Sequence, residues 1–265
     1  MQSSAASNEA PLGRYIIYLG LVLFFGLGAL AYNLLCLING ILPFRERRRA
    51  VMRRLMIGLL KLFIAMIEFG GVGKVSFKGL RESIPEGPSL IVANHTGLLD
   101  ALFLLTELPD AVCVFKSGLR NNPFFCGIIR ENGFIANDEG LDLLHAMNDA
   151  LATGRPVLVF PEGTRTDAPP LNEFHGGFAL VARRSQAPVR TIIIRNSCGL
   201  LAKGGGLLRR YAIPFRYTFE PGDVFFYQDG ERAVTFSHRI EHFFREILSI
   251  DDFAPWQIAR INHSS

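Results

Sequence analysis

Charged residues are missing from a long stretch near the start of the chain. Residues 15–44, YIIYLGLVLFFGLGALAYNLLCLINGILPF, contain no Asp, Glu, Lys, Arg or His. A helix needs roughly 20 apolar residues to cross a bilayer, so this stretch is long enough to span one. The leader before it, residues 1–13, carries Glu9 as its one charge, whereas a cleaved signal peptide opens with positive charge. The sequence therefore predicts a retained membrane anchor, with a buried helix of a soluble protein as the alternative.

Net positive charge is confined to one segment that follows this stretch. Residues 45–54, RERRRAVMRR, contain six Arg and one Glu, a net charge of +5, whereas the whole chain carries +4. The basic charge is therefore local, which argues against a nucleic-acid-binding protein. Arginines beside an apolar span fit the positive-inside rule, so we expect the inner (cytoplasmic) membrane, with the rest of the chain on the cytoplasmic side. The next apolar stretch, 55–73, contains Lys61 and Glu68 and could span the bilayer or lie in its interface.

Cysteine is also rare, and several catalytic motifs are absent. The four cysteines, Cys36, Cys113, Cys126 and Cys198, show no paired spacing. Neither a disulfide framework nor a zinc site is indicated, and we expect no metal. The G-x-S-x-G motif of many serine hydrolases and the phosphate loop of nucleotide-binding proteins are both missing, which argues against those two classes.

Beyond a turn-rich connector at 79–88, short apolar runs alternate with longer segments of helical periodicity. The predicted strands are 89–93, 111–115, 156–160, 189–195 and two more about a Pro-Gly turn in 215–227. The predicted helices are 98–108, 139–154, 176–185 and 237–249. This alternation predicts an α/β fold with a mostly parallel central sheet flanked by helices. We divide the chain into a membrane-anchoring helical segment, 1–75, and a globular domain, 76–265.

Two polar motifs follow predicted strands, where ligands of open α/β sheets gather. NHTGLLD follows the strand 89–93 and places His95 five residues before Asp100. These side chains can meet if the chain bends between them, which Gly97 makes easy. Asp100 would then fix the imidazole tautomer and leave the other ring nitrogen as a base for a substrate hydroxyl. The alternative is a histidine that merely packs or caps at the strand end.

The second motif, FPEGTRT, follows the strand 156–160. Gly163 permits close backbone approach, and successive N–H groups there could form an anion-binding nest. Arg165 offers a guanidinium fork that matches a phosphate. In isolation the motif would be an ordinary surface turn. Next to a His-Asp pair, it favours a substrate that carries a phosphate or another anionic group.

Together, NHTGLLD and FPEGTRT resemble the first and third signature blocks of the glycerolipid acyltransferases, and APVRTIII at 187–194 resembles the fourth. The resemblance covers about residues 76–200 and makes 76–265 an acyltransferase domain. It implies transfer of a fatty acyl group from an acyl carrier protein (ACP) or coenzyme A (CoA) thioester to a lysophospholipid hydroxyl, with no further cofactor. The implied partners are membrane lipids and that ACP or CoA thioester. By the resemblance His95 is the general base, Asp100 orients it, and the acceptor's polar head is held by Glu162, Gly163, Thr164 and Arg165.

The second block departs from the family pattern. A Gly is normally followed six residues later by a phosphate-binding Arg, but the stretch GFIANDE places Glu139 there. Another cation could substitute, with Arg195, Lys203 and Arg130 as candidates, or the acceptor is not a simple glycerol phosphate. The stretch IIIRNSCGLLAKGG, 192–205, is similar to bacterial acyltransferases that accompany aryl polyene lipid biosynthesis. The alternative function is a catalytically idle lipid-binding membrane protein of the same fold, against which the intact His-Asp pair argues.

Overall fold

The structure, a computed structural model, describes residues 11–41, 45–84, 87–137 and 140–262. Within them the chain forms one seven-stranded sheet in the order β1-β7-β6-β2-β5-β3-β4. Its strands are β1 (Gly73–Ser76), β2 (Leu90–Ala93), β3 (Val112–Phe115), β4 (Ile135–Ala136), β5 (Val157–Val159), β6 (Val189–Asn196) and β7 (Phe215–Phe225). Neighbouring strands are parallel except β6 and β7, which are antiparallel. The predicted α/β fold with a mostly parallel sheet is confirmed.

Helices flank the sheet and also form the amino-terminal part of the described chain. They are α1 (Leu12–Ile41), α2 (Arg45–Phe69), α3 (Leu80–Ser83), α4 (Asp100–Glu107), α5 (Cys126–Asn132), α6 (Leu141–Ala152), α7 (Gly177–Ser185), α8 (Ala233–Ile247) and α9 (Pro255–Asn262). The four predicted helices correspond to α4, α6, α7 and α8. Strands β1 and β4 were not predicted, and they are only four and two residues long.

The region 215–227 was predicted as two strands about a Pro-Gly turn, and this prediction was wrong. Residues Phe215–Phe225 form one continuous strand, β7, with Pro221 and Gly222 inside it. The neighbour β1 pairs with β7 only as far as Thr218, and an irregularity in the β6 pairing lies between Arg190 and Ile192. A sheet tolerates proline at an edge or a bulge, so the proline does not end the strand.

The central strands are buried on both faces of the sheet. In β2, Ile91 and Ala93 pack into the apolar cluster that contains α1, α2 and α4 side chains, whereas Leu90 and Val92 pack into the cluster under α6, α7 and α8. A strand covered on both faces has no polar alternation, which explains its continuous apolar sequence.

Helix α1 packs along the domain at both of its ends. Near its start the Tyr18 hydroxyl donates to the Leu207 carbonyl at 2.8 Å, and near its end the Asn39 amide donates to the buried Glu131 carboxylate at 3.0 Å. Its opposite face is exposed and apolar, with Leu12, Ile16, Leu23, Leu27, Leu30, Leu34, Leu37 and Ile38. Within the described ranges one helix, Leu12–Gly40, is long and apolar enough to cross a membrane.

The segment 55–73, whose placement the sequence left open, falls mostly in α2, and β1 begins at Gly73. The predicted boundary at residue 75 therefore cuts through a strand of the sheet. Helices α1 and α2 also share an apolar cluster with the strands, through residues such as Leu21 and Met56. Whether α2 lies in a membrane interface stays a prediction.

Candidate active site

The two motif loops lie side by side because β2 and β5 are adjacent parallel strands. Asn94, directly after β2, is anchored to β6, since its amide donates to the Ile194 carbonyl and its oxygen accepts the Ile194 N–H, both at 2.8 Å. The loop after β5 is tied to the first loop by the Thr166 N–H, which donates to the His95 carbonyl at 2.7 Å. Strand order and these bonds therefore fix the backbone on both sides of His95.

His95 and Asp100 are in direct contact. The His95 Nδ1–H donates to Asp100 Oδ2 at 2.8 Å, and the Gly97 N–H donates to the same oxygen at 3.0 Å. Asp100 opens α4 and is fully buried, whereas the His95 side chain keeps 21% of its surface exposed. Since the carboxylate engages Nδ1, Nε2 is the ring nitrogen that can take a proton from a substrate.

The other oxygen of Asp100 is held by two hydroxyl groups that the sequence did not single out. Tyr217 Oη donates to Asp100 Oδ1, and Thr96 Oγ1 donates to it at 3.1 Å. Burial raises the pKa of Tyr217 well above its ordinary value, and the neighbouring Asp100 charge adds to this, so the phenol stays a donor. A Cβ atom at position 97 would lie only 2.8 Å from Tyr217 Oη, so a larger residue would clash there. Gly97 does not have a positive φ, so the lack of a side chain is what this position needs.

His95 opens into a cavity of about 270 Å³. The Phe160 ring stacks on the imidazole with ring centres 4.3 Å apart. The cavity is also lined by Gly163, Thr164 and Arg165 of the second motif. Arg165 is half-buried, and its Nη1–H donates to the Leu201 carbonyl at 2.8 Å. The structure thus places the imidazole and the guanidinium in one cavity.

Lys116 lines the same cavity and was not predicted as a site residue. It directly follows β3, which pairs with β5, so it stands at the same edge of the sheet as both motifs. The strand-end rule that located His95 would have found this lysine as well. It adds a second cation to the cavity.

Glu162 was predicted to hold the acceptor head, but its side chain is 2% exposed and its carboxylate bonds to the protein. It accepts the His95 N–H at 2.7 Å and the Asn172 N–H at 3.0 Å. Burial raises the pKa of this carboxyl to about 7, although these donors oppose the shift. Glu162 therefore faces the loop of His95 and is not among the residues that line the cavity.

Two of the candidate cations lie elsewhere. Arg195 donates to Glu220 at 2.6 Å and to Asp252 at 2.9 Å, and it does not line the His95 cavity. Lys203 pairs with Asp167 at 2.9 Å on the surface. The structure therefore does not bring Arg195 to the site.

The remaining candidate, Arg130, lines a neighbouring cavity and donates to the Cys36 carbonyl at 2.7 Å. Glu139, the basis for seeking a substitute cation, lies outside the described residues. Within the described ranges no three His, Cys, Asp or Glu side chains are grouped so as to hold a metal ion.

A second cavity, of about 170 Å³ and wholly apolar, adjoins the first. Leu98 and Phe125 line both cavities. The second one is bounded by side chains of α1 and α2, among them Leu21 and Phe63. Since binding sites for small molecules usually measure roughly 300–1,000 Å³, the two cavities together fall within that range.

Comparisons with known proteins match this chain to acyltransferases. The family model described as Acyltransferase matches residues 74–195. A Helicobacter pylori protein named 1-acyl-sn-glycerol-3-phosphate acyltransferase is 31% identical over 122 residues, 43% of this chain and 52% of the relative. A Rhodobacter capsulatus protein named lyso-ornithine lipid O-acyltransferase is 36% identical over 101 residues, 35% of this chain and 36% of the relative. The chain thus spans about half the length, or less, of these two curated relatives.

Among solved structures, the crystal structure of the 1-acyl-sn-glycerophosphate (LPA) acyltransferase PlsC from Thermotoga maritima superposes with a TM-score of 0.67. The match covers 88% of this chain and 96% of that one at 20% identity, so it shows a shared fold. The similarity to aryl polyene enzymes stays a prediction. The comparisons confirm the predicted resemblance, since residues 74–195 match the family model described as Acyltransferase.

Proposed function

We propose that this protein is a membrane-bound acyltransferase that moves a fatty acyl group from an ACP or CoA thioester to the hydroxyl of a lysophospholipid-like acceptor. One observation carries the proposal: the His95–Asp100 pair opens into a cavity that also contains Arg165 and adjoins an apolar cavity. A base, a cation and an apolar cavity suit the acylation of a lipid that has an anionic head.

In the proposed reaction, His95 Nε2 takes the proton from the acceptor hydroxyl while its oxygen attacks the thioester carbonyl carbon. The new C–O ester bond forms, the C–S bond breaks, and the thiolate leaves with the proton returned by the imidazolium. Asp100 holds the ring and stabilises its positive charge during the transfer. The four groups that surround the Asp100 carboxylate keep it fixed for this task.

The two sides of His95 suit the two kinds of group that the reaction must hold. Arg165 and Lys116 would hold an anionic head. The apolar cavity between α1, α2 and the sheet would hold an acyl chain. The exposed apolar face of α1 would enter the membrane, and the arginines of 45–54 would stay at its cytoplasmic surface.

A second acceptor class is favoured by Glu139 in the second signature block and by relatives named lyso-ornithine lipid O-acyltransferase. Such an acceptor would lack the phosphate that a carboxylate repels. The two classes are distinguished by offering lysophosphatidate and lyso-ornithine lipid separately and identifying the acylated product by mass spectrometry. An exclusive preference for lysophosphatidate would eliminate the second class.

The central test is transfer of a labelled acyl group by the His95→Ala variant in mixed detergent micelles. We expect a loss of about 10²–10⁴-fold, the usual contribution of a general base. His242→Ala is the matched control, because that imidazole is exposed on α8. Undiminished transfer by His95→Ala would overturn the mechanism, and a wild type that binds lyso-lipid without acylating it would favour the idle lipid-binding alternative.

A further inference from the structure

Glu162 is hydrogen-bonded to the backbone of His95 and is not among the residues that line the His95 cavity. Its Oε1 accepts the His95 N–H at 2.7 Å, and its Oε2 accepts the Asn172 N–H at 3.0 Å. The side chain is 2% exposed. Each carboxylate oxygen therefore already has a backbone donor, and the group has almost no surface left for a ligand.

Thr166 contacts both Glu162 and the backbone carbonyl of His95. Its Oγ1 donates to the Glu162 carboxylate, at 3.0 and 2.9 Å from the two oxygens, and lies 3.1 Å from the His95 carbonyl oxygen. Its N–H also donates to that carbonyl, at 2.7 Å. Both polar groups of the His95 backbone are thus held by the loop after β5.

We infer that Glu162, together with Thr166, is a positioning residue that sets the place of the His95 imidazole, and does not bind the acceptor's head. This rests on the proposed function, because it assigns a part in His95 catalysis. The imidazole can turn only about its own side-chain bonds once its backbone is fixed, and Asp100 and Phe160 then fix the ring. A displacement of about 1 Å in a reacting group can lower the rate about 10²-fold. Loss of the hydrogen bonds to the His95 backbone should therefore lower the rate strongly.

The free-energy cost of burying the Glu162 carboxyl group indicates that this residue has a specific role. Its hydrogen-bond donors are two backbone N–H groups and a hydroxyl, and the charge that faces it is His95 when protonated. A buried carboxyl without a fixed cation is less stable than a neutral side chain of the same shape. A residue that served only to fill space would not need to be ionisable.

Glu162→Gln tests the inference through steady-state kinetics. The amide oxygen can accept one backbone N–H, but the amide NH₂ meets the other donor. We expect kcat to fall about 10–100-fold with the acceptor KM changed less than about threefold. Thr166→Val should lower kcat in the same way, and Thr166→Ser should restore it. A raised KM for the acceptor with kcat unchanged would overturn the inference and place Glu162 on the acceptor head.

A second measurement does not depend on activity. The ¹³C–¹H resonance of the His95 ring, assigned by its loss in His95→Ala, should move in Glu162→Gln in detergent micelles. Glu241→Gln is the matched control, because that half-buried carboxylate accepts the Phe174 N–H at 3.2 Å in the same region without touching His95. An unmoved resonance in Glu162→Gln overturns the inference. If the resonance moves in Glu162→Gln but the wild type acylates no lyso-lipid, the positioning role is supported and the proposed function is refuted.

Discussion

Two clusters of polar residues lie at the strand ends, and they differ in burial and in the groups that stabilise their charged side chains. Around His95, the fully buried Asp100 and the almost fully buried Glu162 are held by hydroxyl and backbone donors. Around Arg195, the guanidinium pairs with two carboxylates and all three side chains stay partly exposed. The first cluster buries two carboxyl groups, which is unfavourable for stability but useful for catalysis. The second resembles an ordinary structural ion pair.

Side-chain direction explains why neighbouring residues fall into different clusters. Consecutive residues of a strand point to opposite faces of the sheet. At the end of β6, Asn196 bonds to Leu200 next to Gly97 of the site, whereas Arg195 points toward Asp252. A polar residue at a strand end is therefore a site residue only when it also lies on the correct face.

The pH dependence of stability should show the largest difference between the clusters. The pKa of the Glu162 carboxyl is 4.5 by reference and about 7 in the folded protein. Between these values the unfolded chain releases the proton and the folded chain keeps it, so the free energy of unfolding falls as pH rises. Below pH 4.5 and above 7 the contribution is constant, and the total fall is about 3 kcal/mol. Glu162→Gln removes this dependence.

Urea unfolding in mild detergent, repeated from pH 4 to pH 8, measures that change. The free energy of unfolding of the wild type, minus that of Glu162→Gln, should fall by about 3 kcal/mol over the range. A difference from Glu162→Gln that stays flat with pH would show that the donors keep Glu162 ionised.

Exchanging the two arginines for glutamine compares the clusters directly. Arg165→Gln removes a cation from the His95 cavity, so kcat/KM should fall about 100-fold, as the loss of charged hydrogen bonds to a substrate predicts. Arg195→Gln should change kcat/KM less than about threefold and lower stability by about 1 kcal/mol, because its ion pairs are partly exposed. Kinetics with a lyso-lipid acceptor and urea unfolding give both quantities. Equal kinetic losses would remove the distinction between the clusters.

The Tyr217 hydroxyl is the next strongest element of the first cluster. Tyr217→Phe removes one donor from Asp100 while keeping the ring, so kcat should fall about tenfold. Tyr211→Phe is the control: that buried tyrosine donates to the Gly206 carbonyl at 3.0 Å and does not touch Asp100. If both variants lost activity equally, the effect of Tyr217 would be one of stability alone.

The sequence predicted the parts of the site that are close together along the chain. His95 and Asp100 are five residues apart in a loop that follows an apolar run, and Arg165 follows a second run. The strand-end rule is enough to expect these residues at one edge of the sheet. Tyr217 contacts Asp100 from 117 residues away, on a strand whose pairing no local pattern reveals.

The differences between the predictions and the structure have physical causes too. The Pro-Gly pair at 221–222 was taken for a turn because local propensity does not show that the strand is at an edge there. Arg195 was a candidate because it is a cation at the end of a predicted strand. The face of the sheet to which its side chain points depends on strand register, which a sequence alone does not give. Glu162 was assigned to the acceptor through resemblance, yet its contacts come from the pairing of two loops.

Lys203 should show the smallest effect of all. It was a candidate for holding an anionic head, but it pairs with Asp167, and both side chains are exposed, by 37% and 44%. Exposed ion pairs contribute about 0–1 kcal/mol, so Lys203→Gln should lower the free energy of unfolding by less than about 1 kcal/mol. Because this lysine does not line the His95 cavity, kcat/KM should change less than about threefold. The assay should use lysophosphatidate and lyso-ornithine lipid in parallel. A KM that rises tenfold for the phosphate-bearing acceptor alone would mean that this lysine reaches the head when substrate binds, and that the first cluster extends farther than the geometry shows.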